Sequence, residues 1–499
     1  MSVFAKLLRE AFLARCGRIE RAAKDAVGIQ RRTLDELLKA GRRTDFGRER
    51  GLDDVRDAEG FARAVESFDY ESFSPYIERM RRGESDVACK GRVKMFARSS
   101  GTTSSRSKYI PVTREALRRN HLRGMADTVS LYLAANPASK LFEGRTLTLG
   151  GSCGRDEHGA LVGDLSALTL HAAGRLAGVV RAPSLDVALM EDFDAKCEAI
   201  CRECAASRIT ALAGVPSWNL ALLRRLTEFA GRRAALEVWP DLELFMHGGV
   251  SFKPYREAFA EVVGGDINYW ECYNASEGFV AVAERAGCED MLLMPDYGCY
   301  YEFESDGRAV PLEGVRTGCE YAVLMTSANG LWRYRLGDKV VFTSTDPYRL
   351  RVAGRTKQYV NAFGEELMIG NAEEALSRAC RVTGAAVSEY TVAPKYMSAA
   401  GDGCHEWVAE FVREPDDVRR FAEELDRALR ELNSDYDAKR RSVMGPPEVR
   451  IVPRGTFLRW QTAERRNKVP RLMNDRSVAD AVAKYAARAA EVRVETIIV

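Results

Sequence analysis

Between residues 145 and 345 the chain alternates short apolar runs of strand character with segments of helical period, and glycines stand where one gives way to the other. The runs 146–151 (TLTLGG), 208–215 (RITALAGV) and 242–249 (LELFMHGG) read as strands, and 217–229 (SWNLALLRRLTEF) and 253–263 (KPYREAFAEVV) read as helices. Strand, glycine loop and helix in that order predict a sheet flanked by helices, with ligands held at the strand ends. After about residue 300 strand-like runs dominate (CYYEFES, CEYAVLMTS, KVVFTST, YRLRVAG), and 356–499 mixes helices with strand-like pieces. The first 60 residues read as amphipathic helix, with Phe4, Leu7, Leu8, Ala11 and Phe12 at helical spacing, and 61–80 as a helical stretch broken at Pro75. The expectation is an α/β chain of two or more domains.

Charge narrows the function. Lys plus Arg number 74 and Asp plus Glu 72, a balance that points to neither nucleic acid nor a membrane surface. No apolar run approaches the roughly 20 residues that span a bilayer. Charges interrupt every apolar stretch of MSVFAKLLREAFLARCGR, so no signal peptide is read there and the 12 cysteines are expected reduced in a cytoplasm. Cys197, Cys201 and Cys204 share one face of a helical segment and read as packing, not as metal ligands. Only 15 of the 74 cations are lysines, so a lysine inside a motif stands out.

Five constellations suit chemistry. The loop Ser99, Ser100, Gly101, Thr102, Thr103, followed by Ser104, Ser105, Arg106 and Lys108, lies between two strand-like runs. It is either an anion cradle of backbone N–H groups and hydroxyls or a flexible polar turn. In WECYNASEGF (270–279), Glu277 beside Ser276 is either a Mg²⁺ ligand or the first-turn residue of a helix capped by Ser276. Asp338, read in a turn before a strand, can accept ribose hydroxyls or serve only the turn. Arg355, between a strand and a helix with Gly354 and Gly364 near it, is either a ribose- or phosphate-facing hinge residue or an exposed basic turn. Lys468, in the basic stretch 455–472, is either a point charge that reaches a site or part of a solvated tail.

Taken in order, SSGTTSSRSKYIPVT (99–113), VPSWNLALLRRL (215–226), HGGVSFKPYREAF (247–259), YNASEGF (273–279), WRYRLGDKVVF (332–342), GRTKQYVNAFGEEL (354–367) and NKVPRL (467–472) resemble the Gretchen Hagen (auxin-responsive promoter) family of acyl acid amido synthetases, in its bacterial branch. TDFGRERG (44–51), DYESFSPYIERMRRGE (69–84) and LNSDYDAKR (432–440) extend the likeness over nearly the whole chain. The family belongs to the adenylate-forming superfamily.

The resemblance implies a large N-terminal domain, 1–355, that binds ATP and a carboxylic acid, and a small mobile α+β domain, 356–499. Carried onto matching positions, Ser99 to Thr103 would hold the ATP phosphates. Gly249, Tyr273, Asn274, Ala275, Ser276 and Arg355 would line the nucleotide. Glu277 would hold Mg²⁺, Asp338 the ribose, and Lys468 would be the mobile catalytic lysine. The implied reaction forms an acyl-adenylate and passes the acyl group to an amine or amino acid, releasing AMP and pyrophosphate. A thiol acceptor, or a relative that binds nucleotide without turnover, are the alternatives. Ser104, Ser105 and Arg106 replace the Gly pair and Lys usual in bacterial relatives, and Gln461 to Arg466 replace a Gly-rich approach to Lys468.

Overall fold

The glycine-bounded runs form neighbouring parallel strands, Arg145–Leu149, Ile209–Gly214 and Leu244–His247. The computed structural model describes residues 3–99, 108–173, 178–356, 358–399, 401–465 and 468–488, and a last strand at 496–497. Arg181–Ala182 at one edge and Asn268–Asn274 at the other complete the parallel half of a 12-stranded sheet. The antiparallel half continues through Phe279–Val282, Met291–Leu293, Tyr348–Arg355, Leu331–Thr345, Glu320–Ser327, Cys299–Ser305 and Arg308–Pro311, in that spatial order. The change from parallel to antiparallel falls at Asn268–Asn274, where the candidate motif YNASE stands.

Successive strand residues face opposite sides, so the parallel strands feed two cores. Leu147, Leu149, Leu212 and Phe245 pack with the helices Phe193–Cys204, Pro216–Ala230 and Arg256–Val263. Cys197, Cys201 and Cys204 are buried in that layer, the helix face their spacing predicts. Ala211, Leu244 and Trp270 face the other core, with the helices Ala26–Gly41, Tyr70–Arg81 and Leu122–Ala135.

The strand Leu331–Thr345 ties the N-terminal helices to the sheet. Trp332 stacks on Phe46 with ring centroids 5.4 Å apart. Phe68 donates its N–H to Arg333 O (3.1 Å) and accepts from Arg335 N (2.8 Å). The Arg333 guanidinium forms a bidentate pair with buried Glu302 (2.9 and 3.0 Å) and reaches Ala62 O and Val65 O.

One local expectation fails, and one helix forms as expected but buries a different face. Pro75 lies inside the helix Tyr70–Arg81 and does not break it. Proline removes the bond that its N–H would give Glu71 O, but the Ser74 hydroxyl donates to that carbonyl at 2.8 Å. In the first helix, Val3–Leu13, Ala5 is buried while Phe4 and Leu7 are exposed. That helix rests on its Phe12 side, against Phe142.

After Arg355 the chain builds a second sheet, Ala386–Lys395, Cys404–Arg413, Glu448–Val452 and Thr496–Ile497. Ile369–Thr383 and Val418–Leu432 pack on one side of it, Thr456–Ala463 and Ser477–Arg488 on the other. This unit docks on the parallel half: Phe363 O accepts from the Ser217 hydroxyl (2.7 Å) and Ala362 O from the Tyr255 hydroxyl (2.5 Å).

Candidate functional site

The strands Asn268–Asn274 and Phe279–Val282 are joined by a tight turn closed by Ala275 N to Gly278 O (3.0 Å) and Gly278 N to Ala275 O (3.2 Å). No helix follows, so Ser276 caps none and the helix-start reading of Glu277 falls. Glu277 is only 9% exposed. Burial holds its carboxyl above the usual range, against the pull of the Lys108 ammonium.

Tyr273, Asp338 and Arg355 meet beside that turn. The Tyr273 hydroxyl donates to Asp338 Oδ2 at 2.7 Å and Arg355 Nε donates to Asp338 Oδ1 at 2.9 Å. Arg355 also pairs with Glu366 at 2.5 Å and lies over the Tyr359 ring, 5.2 Å from its centroid. Burial opposes the Arg355 charge, yet Glu366 and Asp338 hold its pKa above the ordinary value. Asp338 is not in a turn before a strand: the strand Leu331–Thr345 runs through it, opposite Arg355. Gly337, at φ +85°, and a shift of register just after Lys339 bend the strand without ending it. The Gly-Asp pair that resembles a turn in the sequence is therefore a kink that turns the carboxylate into the site.

Gly249 lies at the end of Leu244–His247 with φ +83°, which favours glycine. Its carbonyl accepts from Asn361 Nδ2 at 3.1 Å, tying this strand end to the loop after Arg355. Asn274 Oδ1 is buried beside the His121 ring. Ser99 closes the strand Met95–Ser99 opposite Lys108, and Arg98 and Lys108 line the cleft. Ser100, Gly101, Thr102 and Thr103, like Ser104, Ser105 and Arg106, lie outside the described residues.

These groups share one cleft of about 2040 Å³. Gly249, Tyr273 to Glu277, Asp338 and Arg355 all line it; Lys468 does not and is exposed. The connection to Lys468 runs through neighbours: Arg471 N donates to Gln358 Oε1 (3.0 Å), and Asn474, on the cleft wall, accepts from Asn361 N (2.6 Å).

Sequence reading missed several cleft residues. Lys439, inside LNSDYDAKR, is buried with its ammonium 3.5 Å over the Trp218 ring. Lys196 is buried and donates to Gly150 O and Gly151 O at 2.8 and 3.2 Å. The scarcity of lysine was the available signal for both. His121 is buried beside Asn274, and burial pushes its pKa down to about 4 against the opposing hydrogen bond with Asn274, which keeps it neutral.

The donor set suits a nucleotide. A carboxylate has about four lone-pair sites, so Asp338 keeps acceptor capacity beyond Tyr273 and Arg355. One buried carboxylate on the wall of the cleft suits Mg²⁺, which takes few protein ligands and completes its shell with phosphate oxygens and water. Among the described residues no cluster of three or more His, Cys, Asp or Glu could hold a metal by itself. No helix among them is long and apolar enough to cross a membrane.

Known proteins match along the chain. The indole-3-acetic acid-amido synthetase GH3.10 of Arabidopsis thaliana is 24% identical over 88% of this chain and 90% of its own length. GH3.8 of Oryza sativa subsp. indica, another indole-3-acetic acid-amido synthetase, is 25% identical over 88% and 86%. Among solved structures, GH3.15 acyl acid amido synthetase superposes with a TM-score of 0.63 at 19% identity, over 97% of this chain and 96% of that one. A 2-hydroxyisobutyryl-CoA ligase in complex with 2-HIB-AMP and CoA superposes with 0.60 at 15%, over 94% and 93%. The fold is thus that of adenylate-forming enzymes. The GH3 family N-terminal domain matches at 15–172 and 151–267, the central domain at 292–355 and the C-terminal domain at 370–477, and the chain belongs to the GH3 family.

Proposed function

We propose that ATP binds along the turn 275–278, with Asp338 on its ribose, and that a carboxylic acid enters the cleft beside it. As a GH3 family member the chain is an acyl acid amido synthetase, a ligase that forms an acyl-adenylate and transfers the acyl group. The observation that carries the site assignment is the Tyr273–Asp338–Arg355 cluster set against a buried carboxylate, Glu277, at one end of a large cleft.

A carboxylate is a poor acylating agent because oxide is a poor leaving group. Its oxygen attacks the α-phosphorus of ATP; that P–O bond forms, the bond to the β-phosphate breaks, and pyrophosphate leaves with the electron pair. An amine nitrogen then attacks the acyl carbon, AMP departs, and the nitrogen gives up a proton. In both steps charge gathers on phosphate oxygens, where fixed cations in a site that excludes water stabilise it most. Lys108 and Arg98 border that space. Glu277 would hold Mg²⁺, which when bound would neutralise phosphate charge. Arg355 fixes the orientation of Asp338.

Lys468 supplies a further cation from a mobile small domain, 356–499, that turns against 1–355. Two observations support the boundary. The central-domain match ends at 355 and the C-terminal match begins at 370. Between them Gly364 has φ +99°, and Gly354 just before has φ +141°. An amino acid is the acceptor, as it is for relatives named jasmonoyl-L-amino acid synthetase. All twelve cysteines are free, which suits a reducing cytoplasm.

Carboxylate-dependent exchange of pyrophosphate into ATP tests the first half-reaction, and products formed with a panel of amines and thiols test the second. Exchange with at least one acid, and an amide product, are expected. Nucleotide binding without exchange across a broad acid library, or a thioester as the sole product, would overturn the reading.

A further inference from the structure

Away from the nucleotide end, the cleft crosses one face of the parallel half of the sheet. The register pairs Met246 with Ala213, Ala213 with Thr148, and, one row further along, Thr146 with Arg181 on the edge strand. Paired residues of neighbouring strands point to the same side, and all five line the cleft. Leu147 and Ala182, one residue on, belong to the opposite, helix-covered core. Met125 and Val129 of the helix Leu122–Ala135 and Phe142 form the other wall. The result is a lobe with apolar walls and a small floor residue, Ala213, that ends at an arginine.

That arginine is unsatisfied. Arg181 is only 9% exposed, yet its Nε has no hydrogen-bond partner. Nη1 donates only to Leu170 O, at a long 3.5 Å. Among the described residues no charged group acts on it. Burial alone acts on its charge and lowers its pKa. A guanidinium taken out of water without a counter-ion is costly, and a planar fork of donors matches a carboxylate. A purely structural role, as a cation near the C-terminal carbonyls of the helix Leu165–Ala172, leaves Nε unused.

We infer that Arg181 receives a second anionic group and that the acyl substrate is a dicarboxylic acid, its far carboxylate seated against Arg181 and Thr146. The inference rests on reading the cleft as the acyl-activating site. Three strand spacings separate the strand of Met246 from that of Arg181, about 14 Å, which sets the length of the substrate's apolar body.

Calorimetric binding of dodecanedioic and tetradecanedioic acids against dodecanoic and tetradecanoic acids, on the full chain, tests this. The diacids should bind at least tenfold more tightly. Arg181→Met should abolish that preference while leaving the monoacids unchanged or tighter, and Arg181→Lys, which keeps the charge but not the fork, should lie between. Equal binding of monoacids and diacids by the wild-type protein overturns the inference, as does a parallel loss for both classes in the variants, the signature of a structural arginine. Binding without pyrophosphate exchange refutes the adenylation reading and leaves Arg181 assigned. Exchange with monoacids alone does the reverse.

Discussion

Replacing Lys439 by methionine removes a buried ammonium and should make the free protein more stable at neutral pH. Burial lowers the Lys439 pKa to about 8, against the opposing pull of Asp435, Asp164 and Glu365. Relative to 10.5 in the unfolded chain, that shift corresponds to about 3 kcal/mol of destabilisation wherever the lysine is charged in both states. The contact over Trp218 returns about 1–2 kcal/mol. Methionine has nearly the same length and no charge, so the net gain at pH 7 is about 1–2 kcal/mol. The sign of the pH dependence follows from proton counting. Below pH 8 both states hold the proton and the cost is constant. Between about 8 and 10.5 the native lysine sheds its proton while the unfolded chain keeps it, so wild-type stability rises with pH. The advantage of the variant should therefore shrink from pH 7 to pH 9.5. Urea unfolding followed by tryptophan fluorescence at both pH values measures it. A variant less stable than wild type at pH 7, or a difference that does not move with pH, refutes the reasoning.

Asp338→Asn removes the anion between Tyr273 and Arg355 and should raise KM for ATP at least tenfold, with a smaller effect on KM for the acid; an unchanged ATP dependence in initial-rate assays counts against the ribose assignment. Glu277→Gln should raise the Mg²⁺ concentration for half-maximal rate, and a superimposable Mg²⁺ titration would reject it as a ligand. Lys468→Ala should slow pyrophosphate exchange by roughly 10²–10³, the loss typical of one preorganised donor. Because Lys468 is exposed, thermal stability should not change, and near wild-type exchange would end its assignment.

The strands and helices were legible where one local rule governed. Glycine-bounded apolar runs became parallel strands, and the cysteine spacing became a buried helix face. Pro75 misled because its compensation comes from a neighbouring side chain, Ser74, and not from the backbone pattern. Asp338 misled because Gly-Asp signals a turn, while the residues opposite it on Tyr348–Arg355 keep the strand paired. Tyr273 and Asp338 were each singled out, but their bond joins residues 65 apart in sequence, a fact of topology alone. Arg181 left no signal at all: its strand has two residues and no period. Lys439 did leave one, a rare lysine inside a recognisable segment, and that signal went unread.

The clamp on Leu331–Thr345 bears on how such chains can recombine. Phe46, Phe68 and the carbonyls of Ala62 and Val65 grip the strand at Trp332, Arg333 and Arg335. Asp338 is only three residues further along the same strand. A crossover between residues 92 and 145 would pair one parent's aromatic clamp with the other parent's strand. Such a chimera can keep every residue of the cleft and still set the ribose-facing carboxylate out of place, so the first ninety residues and Leu331–Thr345 should be inherited together.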